Sequence, residues 1–284
     1  GLVRTGMDLL IEHQIIKWVG SEWICHPDYA TFPLAEELAR KAAGIPHNLP
    51  ASLSDFVGRE DEIHKLRHIL QENRLITLVG PGGMGKTRLG IQVAAESLED
   101  FADGVFFVPL ASLSSVDFLV SSIADALRFP LAGSKEPQNQ LLAYLRDKEL
   151  LLVLDSFDHL CEGIPLIYTI LERAPQVKTM VTAREHLGIT GEANFELGGM
   201  PLPASDNENN LEDSSVVRLF LANARRAAPD FTLTDADKPY VAGICRLVEG
   251  MPLGIEFAAA WVQTFSCQEI YEKIQGNLAF LASD

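Results

Sequence analysis

The chain has 284 residues, 47% of them hydrophobic, and carries 39 acidic against 23 basic residues for a formal net charge of −16. That length and apolar content suffice for a substantial core divided among two or three domains, while the acidic balance opposes attraction to a phosphate backbone, so direct nucleic-acid binding is not expected. No apolar run approaches the roughly 20 residues that cross a bilayer, and the N-terminus has no basic segment leading into an apolar one, so the chain reads as cytoplasmic with no membrane partner.

In chain order, the first 45 residues read as a helix (Asp8 to Lys17), a short hairpin within Ile15 to His26 turning at Gly20/Ser21, and an alanine-rich amphipathic helix (Pro33 to Ala43). This succession is like the latter part of a winged-helix module with its recognition helix missing. Residues 1–46 therefore read either as a partial winged-helix-like segment or as a linker that packs. Glu60 to Glu72 places Ile63, Leu66, Ile69 and Leu70 on one face and charges on the other, an amphipathic helix.

Between Leu75 and Leu197 short apolar runs alternate with helix-like intervals, the pattern of a parallel sheet covered by helices. Five strands are expected: Leu75 to Val79, Val105 to Pro109, Leu150 to Leu154, Lys178 to Ala183 and Asn194 to Leu197. The run Asp206 to Asp213 then concentrates acids and asparagines after Met200 to Pro203, as a solvated linker does. Beyond it the strand signals stop. Ser215 to Arg226, Asp235 to Leu247, Leu253 to Phe265 and Cys267 to Leu281 read as helices punctuated by Pro229 and the Gly250/Pro252 pair. The expected division is 1–46, an α/β domain over 47–204, and a helical domain over 205–284. Cys25, Cys161, Cys245 and Cys267 are far apart with no CxxC spacing and read as reduced thiols, not a metal site.

Gly80-Pro81-Gly82-Gly83-Met84-Gly85-Lys86-Thr87 fits GxxxxGK[ST] in every fixed position and lies between an apolar run and the helix-forming stretch Arg88 to Glu96. The glycines let backbone N–H groups turn inward, and the following helix adds partial positive charge at its N-terminus, which together suit a phosphate chain. Lys86 then supplies an ammonium for the outer phosphates, and Thr87 a hydroxyl for Mg²⁺. Leu150 to Asp155 (LLLVLD) has the form of a Walker B strand, with Asp155 holding the same Mg²⁺. The next residue is Ser156, a poor base, so hydrolysis is expected to be slow. Asp158 is either the group that orients water or the N-cap of a following helix.

Five stretches resemble one family: FVGRE (Phe56 to Glu60), GPGGMGKT, LLLVLDSFDHL (Leu150 to Leu160), TAREHLGITGE (Thr182 to Glu192) and GMPLGIEFAAA (Gly250 to Ala260). From about Asn48 to the C-terminus the chain is similar to STAND signal-transduction ATPases of the NB-ARC-like kind. More narrowly, it resembles the nucleotide-binding module of bacterial LuxR-type and AfsR-like regulators, relatives of apoptosome and plant resistance-protein ATPases. The resemblance implies a P-loop NTPase fold, an α/β parallel sheet with helices on both faces followed by an all-helical lid domain. It implies ATP/ADP and Mg²⁺ as cofactors. Phe56, Val57 and Gly58 would line the adenine pocket and Arg59 fix the adenosine end. Arg184 would sense the γ-phosphate, unless it pairs instead with Glu185 or Glu192, and Pro252 would set the helical domain over the base.

The expected cofactor-binding set is thus Phe56, Val57, Gly58, Arg59, Gly80, Gly82, Gly83, Met84, Gly85, Lys86, Thr87, Arg88 and Pro252. The expected catalytic set is Lys86, Asp155, Asp158 and Arg184, and the metal ligands Thr87 and Asp155. The family implies a switch that is closed with ADP, open and self-associating with ATP, and slow in hydrolysis. A turnover AAA-type remodelling ATPase is disfavoured by Ser156, an ADP-holding scaffold by the intact loop, and a transporter ATPase by the lack of an LSGGQ-like run. The effector domains, sensor repeats and following winged-helix domain that flank the module in the family are not recognisable here, so the chain reads as a fragment.

Overall fold

The computed structural model describes residues 44–51, 55–133, 136–203 and 211–282, together with the backbone of a hairpin whose strands are β1 (Ile16–Val19) and β2 (Glu22–Cys25). The hairpin pairs antiparallel, with Val19 opposite Glu22, and the turn expected at Gly20/Ser21 lies outside the described residues. The helices expected on either side lie outside the described residues, apart from Ile16 and Lys17, which are strand.

Helix α1 (Glu60–Glu72) leads into strand β3 (Leu75–Val79) and helix α2 (Lys86–Glu96). Then follow β4 (Gly104–Pro109), α3 (Leu119–Ala126), α4 (Pro137–Leu145), β5 (Leu150–Asp155), α5 (Ile164–Arg173), β6 (Lys178–Ala183) and β7 (Glu192–Glu196). Strands β3 to β7 form one parallel sheet in the order β4-β5-β6-β3-β7.

Side chains alternate across each strand, so the sheet has two apolar faces. Ile76, Leu78, Leu151, Val153 and Met180 point to α1 and α2. Leu75, Phe106, Val108, Leu152, Leu154 and Val181 point to α3, α4 and α5. This is a three-layer α/β arrangement with helices on both faces, and it explains why β3 and β5 are buried at every position.

The last part is helical: α6 (Ser215–Ala227), α7 (Lys238–Leu247), α8 (Pro252–Ala260) and α9 (Cys267–Gly276). It has its own core around Phe220, Val241, Ile244, Ile255 and Ile270. Three of its helix limits differ from expectation by three residues or more. Helix α7 starts at Lys238 and not Asp235, because Thr234 donates through both its amide and its hydroxyl to the Asp237 carboxylate and closes a turn there. Helix α8 stops at Ala260, and a 3₁₀ turn over Trp261–Gln263 takes up the rest. Helix α9 stops at Gly276, ahead of a 3₁₀ segment over Leu278–Ala282. At the start of the sheet, Pro46, the last residue of the expected N-terminal segment, is sheet-bound: Pro46 O accepts from Val105 N, and two residues on the Asn48 amide bonds both N and O of Phe107.

Candidate functional site

The site forms where β3, β5 and β6 end and their chains turn away, the edge at which an open parallel sheet leaves a crevice. Beyond Val79 the chain enters the loop Gly80 to Gly85, and α2 begins at Lys86. Three glycines are required by geometry. Gly83 and Gly85 have φ of 81° and 83°, the left-handed region that favours glycine. At Gly80 a Cβ would lie 2.6 Å from the Leu197 carbonyl oxygen, which is backbone and has no room to give.

The loop is held from below by Arg59, which is 5% exposed. Its guanidinium donates to Met84 O at 3.0 Å and to Gly198 O at 2.9 Å. Burial lowers its pKa, partly opposed by Glu62 at 4.0 Å. The backbone of Arg59 is itself left-handed, at φ 64°. Gly58, at φ 73°, packs so closely that a Cβ would lie 2.6 Å from Ser215 Cβ.

Above the loop lies a cavity of about 330 Å³ lined by Gly82, Gly83, Gly85, Lys86, Thr87, Arg88, Asp158 and Arg184, together with Ser156, Thr182, Pro252, Leu253 and Glu256. Lys86 Nζ donates to Gly80 O at 2.6 Å and Pro81 O at 3.0 Å, and an ammonium has a third N–H to offer. Its pKa is lowered, by burial first. Asp158 and Asp155 oppose that shift and the Arg184 guanidinium reinforces it.

Asp155, 7% exposed, ends β5 under the cavity. Its Oδ1 accepts from Thr87 Oγ1 and from Thr182 Oγ1, both at 2.7 Å. Ser156, at φ 64° and ψ 55°, opens a 3₁₀ turn over Phe157–His159. Asp158 sits on that turn and caps no helix: its carboxylate accepts from the Arg184 amide, across the cavity floor from β6. Of the acids proposed as alternative partners of Arg184, Glu192 is committed to the amides of Leu187, Gly188 and Ile189.

A smaller cavity, about 40 Å³, adjoins the first and is lined by Phe56, Val57 and Arg59 on one side and Met200 and Leu219 on the other. Gly85, Arg88, Pro252 and Glu256 line both cavities and so mark where they meet. There the helical part touches the loop. Leu253 N donates to Gly83 O at 3.2 Å, and Arg88 pairs with Glu256 at 3.4 Å while its other nitrogen donates to Asp55 O at 3.1 Å.

Sequence reasoning missed Thr182, Leu253 and Glu256. The first stands two residues before Arg184 and the others directly after and one helical turn after Pro252, so the motif stretches contained them without marking them out.

A phosphate chain with Mg²⁺ fits these donors. Amides of a left-handed glycine loop, an ammonium and a guanidinium answer the phosphates, and a hydroxyl beside a carboxylate supplies hard oxygens for the ion. Among the described residues no group of three or more His, Cys, Asp or Glu side chains is gathered to hold a metal alone. Mg²⁺ typically takes one or two protein oxygens and completes its shell with phosphate and water.

Fold and site together define a P-loop NTPase domain. The NB-ARC domain family model matches residues 59–196, which take in the loop, Asp155, Asp158 and Arg184. An uncharacterized protein of Mycobacterium tuberculosis is 31% identical over 243 residues, 85% of this chain and 59% of its own length. A second M. tuberculosis protein, provisionally named an HTH-type transcriptional regulator, is 33% identical over 218 residues, 76% of this chain and 23% of its own. The chain therefore spans between about a quarter and three fifths of these relatives. Among solved structures, the ORC2 protein of Aeropyrum pernix, in ADPNP and ADP complexes, aligns with a TM-score of 0.51 at 12% identity, covering 80% of this chain and 70% of that one, a likeness of fold. Among the described residues no helix is long and apolar enough to cross a membrane.

Proposed function

We propose that this chain is the nucleotide-dependent switch of a signal-transduction or transcription regulator acting in the cytoplasm, closed with ADP, open and self-associating with ATP, and slow to hydrolyse it. The observation that carries the reading is the Leu253 N–H bonded to Gly83 O. It fastens the start of α8 to the phosphate loop, so whatever fills the loop bears on the helical domain. A switch needs two states and a ligand with different affinity for each, and a lid clamped on the phosphate site provides the means of coupling them.

Within that reading residues 47–204 bind nucleotide and 205–284 form the lid. Lys86 and the loop amides bind β- and γ-phosphates, and Thr87 and Asp155 hold Mg²⁺. Arg184 senses the γ-phosphate, and Asp158 orders the cavity floor beneath it. Phe56, Val57, Arg88 and Pro252 receive the adenosine. The cavity on the base side is lined by both Phe56 and Pro252 of the α8 start, so a base seated there would touch the lid. Ser156 in place of an acid favours slow turnover over a remodelling motor.

Small-angle scattering of the protein with Mg-ADP and with a non-hydrolysable Mg-ATP analogue tests the switch. A larger radius of gyration or a higher mass with the ATP analogue is expected; superimposable curves at saturation would rule it out.

A further inference from the structure

One side chain at the β5–β6 junction makes bonds that core packing does not demand. The ladder between these strands ends at Leu154 opposite Val181. Where the two chains part stands Thr182, 1% exposed. Its hydroxyl donates to Asp155 Oδ1 at 2.7 Å and accepts from Ser156 N at 2.8 Å. Buried threonine hydroxyls in this sheet are not bridged as a matter of course, since Thr77 and Thr179 have no partner for theirs. The Ser156 amide has left the ladder in a left-handed conformation that costs a non-glycine residue energy, and Thr182 gives it an acceptor.

We propose that Thr182 is a positioning residue for the Mg²⁺-nucleotide site: its hydroxyl sets which oxygen of Asp155 faces the phosphate cavity and holds the turn that carries Asp158. The Asp155 Oδ1 atom receives both the Thr87 and Thr182 hydroxyls, whereas the nearest donor to Oδ2 is Ser156 Oγ at 3.4 Å. Two short bonds on one oxygen fix the carboxylate plane and present the other to the ion. A β-branched side chain in a strand has a restricted χ1, so the direction of the hydroxyl is set by the backbone. The methyl is directed to α2, close enough that a Cβ built on Gly90 would lie 3.7 Å away, and a valine there keeps that packing.

This inference rests on the nucleotide reading of the site, so the test has one arm that needs no nucleotide. Thr182→Val keeps the shape and removes the hydroxyl, and Thr182→Ser keeps the hydroxyl. Hydrogen exchange of the peptide over Asp155 to His159 is measured in nucleotide-free protein, and ADP affinity is measured with and without Mg²⁺. In Thr182→Val that peptide is expected to exchange faster while α6 to α9 do not. The Mg²⁺ enhancement of ADP affinity is expected to fall about tenfold or more, as when a partner behind a metal ligand is lost. Thr182→Ser is expected to behave as wild type. Should the valine variant not fold, Thr182→Cys, with only a weak donor in similar volume, replaces it. Unchanged exchange with unchanged Mg²⁺ enhancement overturns the proposal, as does a serine variant that behaves like valine. A wild type that binds no ADP overturns the nucleotide reading, and this inference with it.

Discussion

Thr87 and Asp155, 68 residues apart in the chain, are joined by a 2.7 Å hydrogen bond that ties the first turn of α2 to the end of β5. The bond places a hydroxyl and a carboxylate side by side at the edge of the cavity above the loop. Groups held in place by such bonds present a fixed set of oxygens to an ion.

Asp155→Asn removes the charge that Mg²⁺ requires while leaving an acceptor for both threonines. Nucleotide affinity in EDTA should stay near wild type, and the gain on adding Mg²⁺ should shrink by about tenfold or more. Titration calorimetry in the two buffers reads it, and a full Mg²⁺ effect in the variant would exclude Asp155 from the ion's environment.

Arg59 is buried, and its guanidinium bonds two backbone carbonyls, one on the loop and one beyond β7. Arg59→Met strips both carbonyls of their donor. It should lower the unfolding free energy by roughly 2–4 kcal/mol, as loss of buried charge-assisted bonds does. Urea denaturation followed by circular dichroism gives the value; a change below about 0.5 kcal/mol, the size typical of surface sites, would mean that the loop does not lean on Arg59.

Pro252→Ala frees the residue at the start of α8 where loop and lid meet. ADP binding is expected to weaken severalfold, with raised proteolysis between the sheet and the helical part. An intact digestion pattern with unaltered affinity would dissociate the lid from the nucleotide.

Burial pushes the thiols of Cys245 and Cys267 up to about 12, with Asp237 adding to the effect at Cys267. At pH 8 their thiolate fraction is about one in ten thousand, and the thiolate is the nucleophile. Iodoacetamide at that pH should therefore leave both unlabelled in the folded protein while modifying the exposed Cys161. Peptide mass mapping after timed quenching checks this, and comparable labelling at all three sites would contradict the packing of α7 and α9.

The sheet was legible where burial on both faces made the sequence continuously apolar. LITLV and LLLVLD can hardly be anything but central strands, and Leu75–Val79 matches to the residue. For strand β7 the sequence predicts Asn194 to Leu197 where Glu192–Glu196 is observed, because an edge strand with half-exposed, polar positions carries little apolar signal. The strand order and the pairing of Pro46 to Asn48 with β4 depend on contacts distant in sequence, which no local pattern encodes. In the site, the loop announced itself because its backbone demands glycine at fixed intervals. At Arg59 and Gly58 the sequence does not show the packing: the arginine bonds loop carbonyls and the glycine abuts Ser215. Thr182 and Leu253 escaped because a hydroxyl and a backbone amide show their use only when partners from other strands and helices arrive beside them.

Everything turns on whether the loop from Gly80 to Thr87 grips an adenine nucleotide by its phosphates, and calorimetric titration of Mg-ADP into wild type and Lys86→Ala asks this directly. One site per chain is expected in the wild type, with affinity in the alanine variant lower by at least about 30-fold, the roughly 2 kcal/mol of a charge-assisted hydrogen bond. No heat in the wild type, or equal affinity in the two proteins, would contradict the assignment.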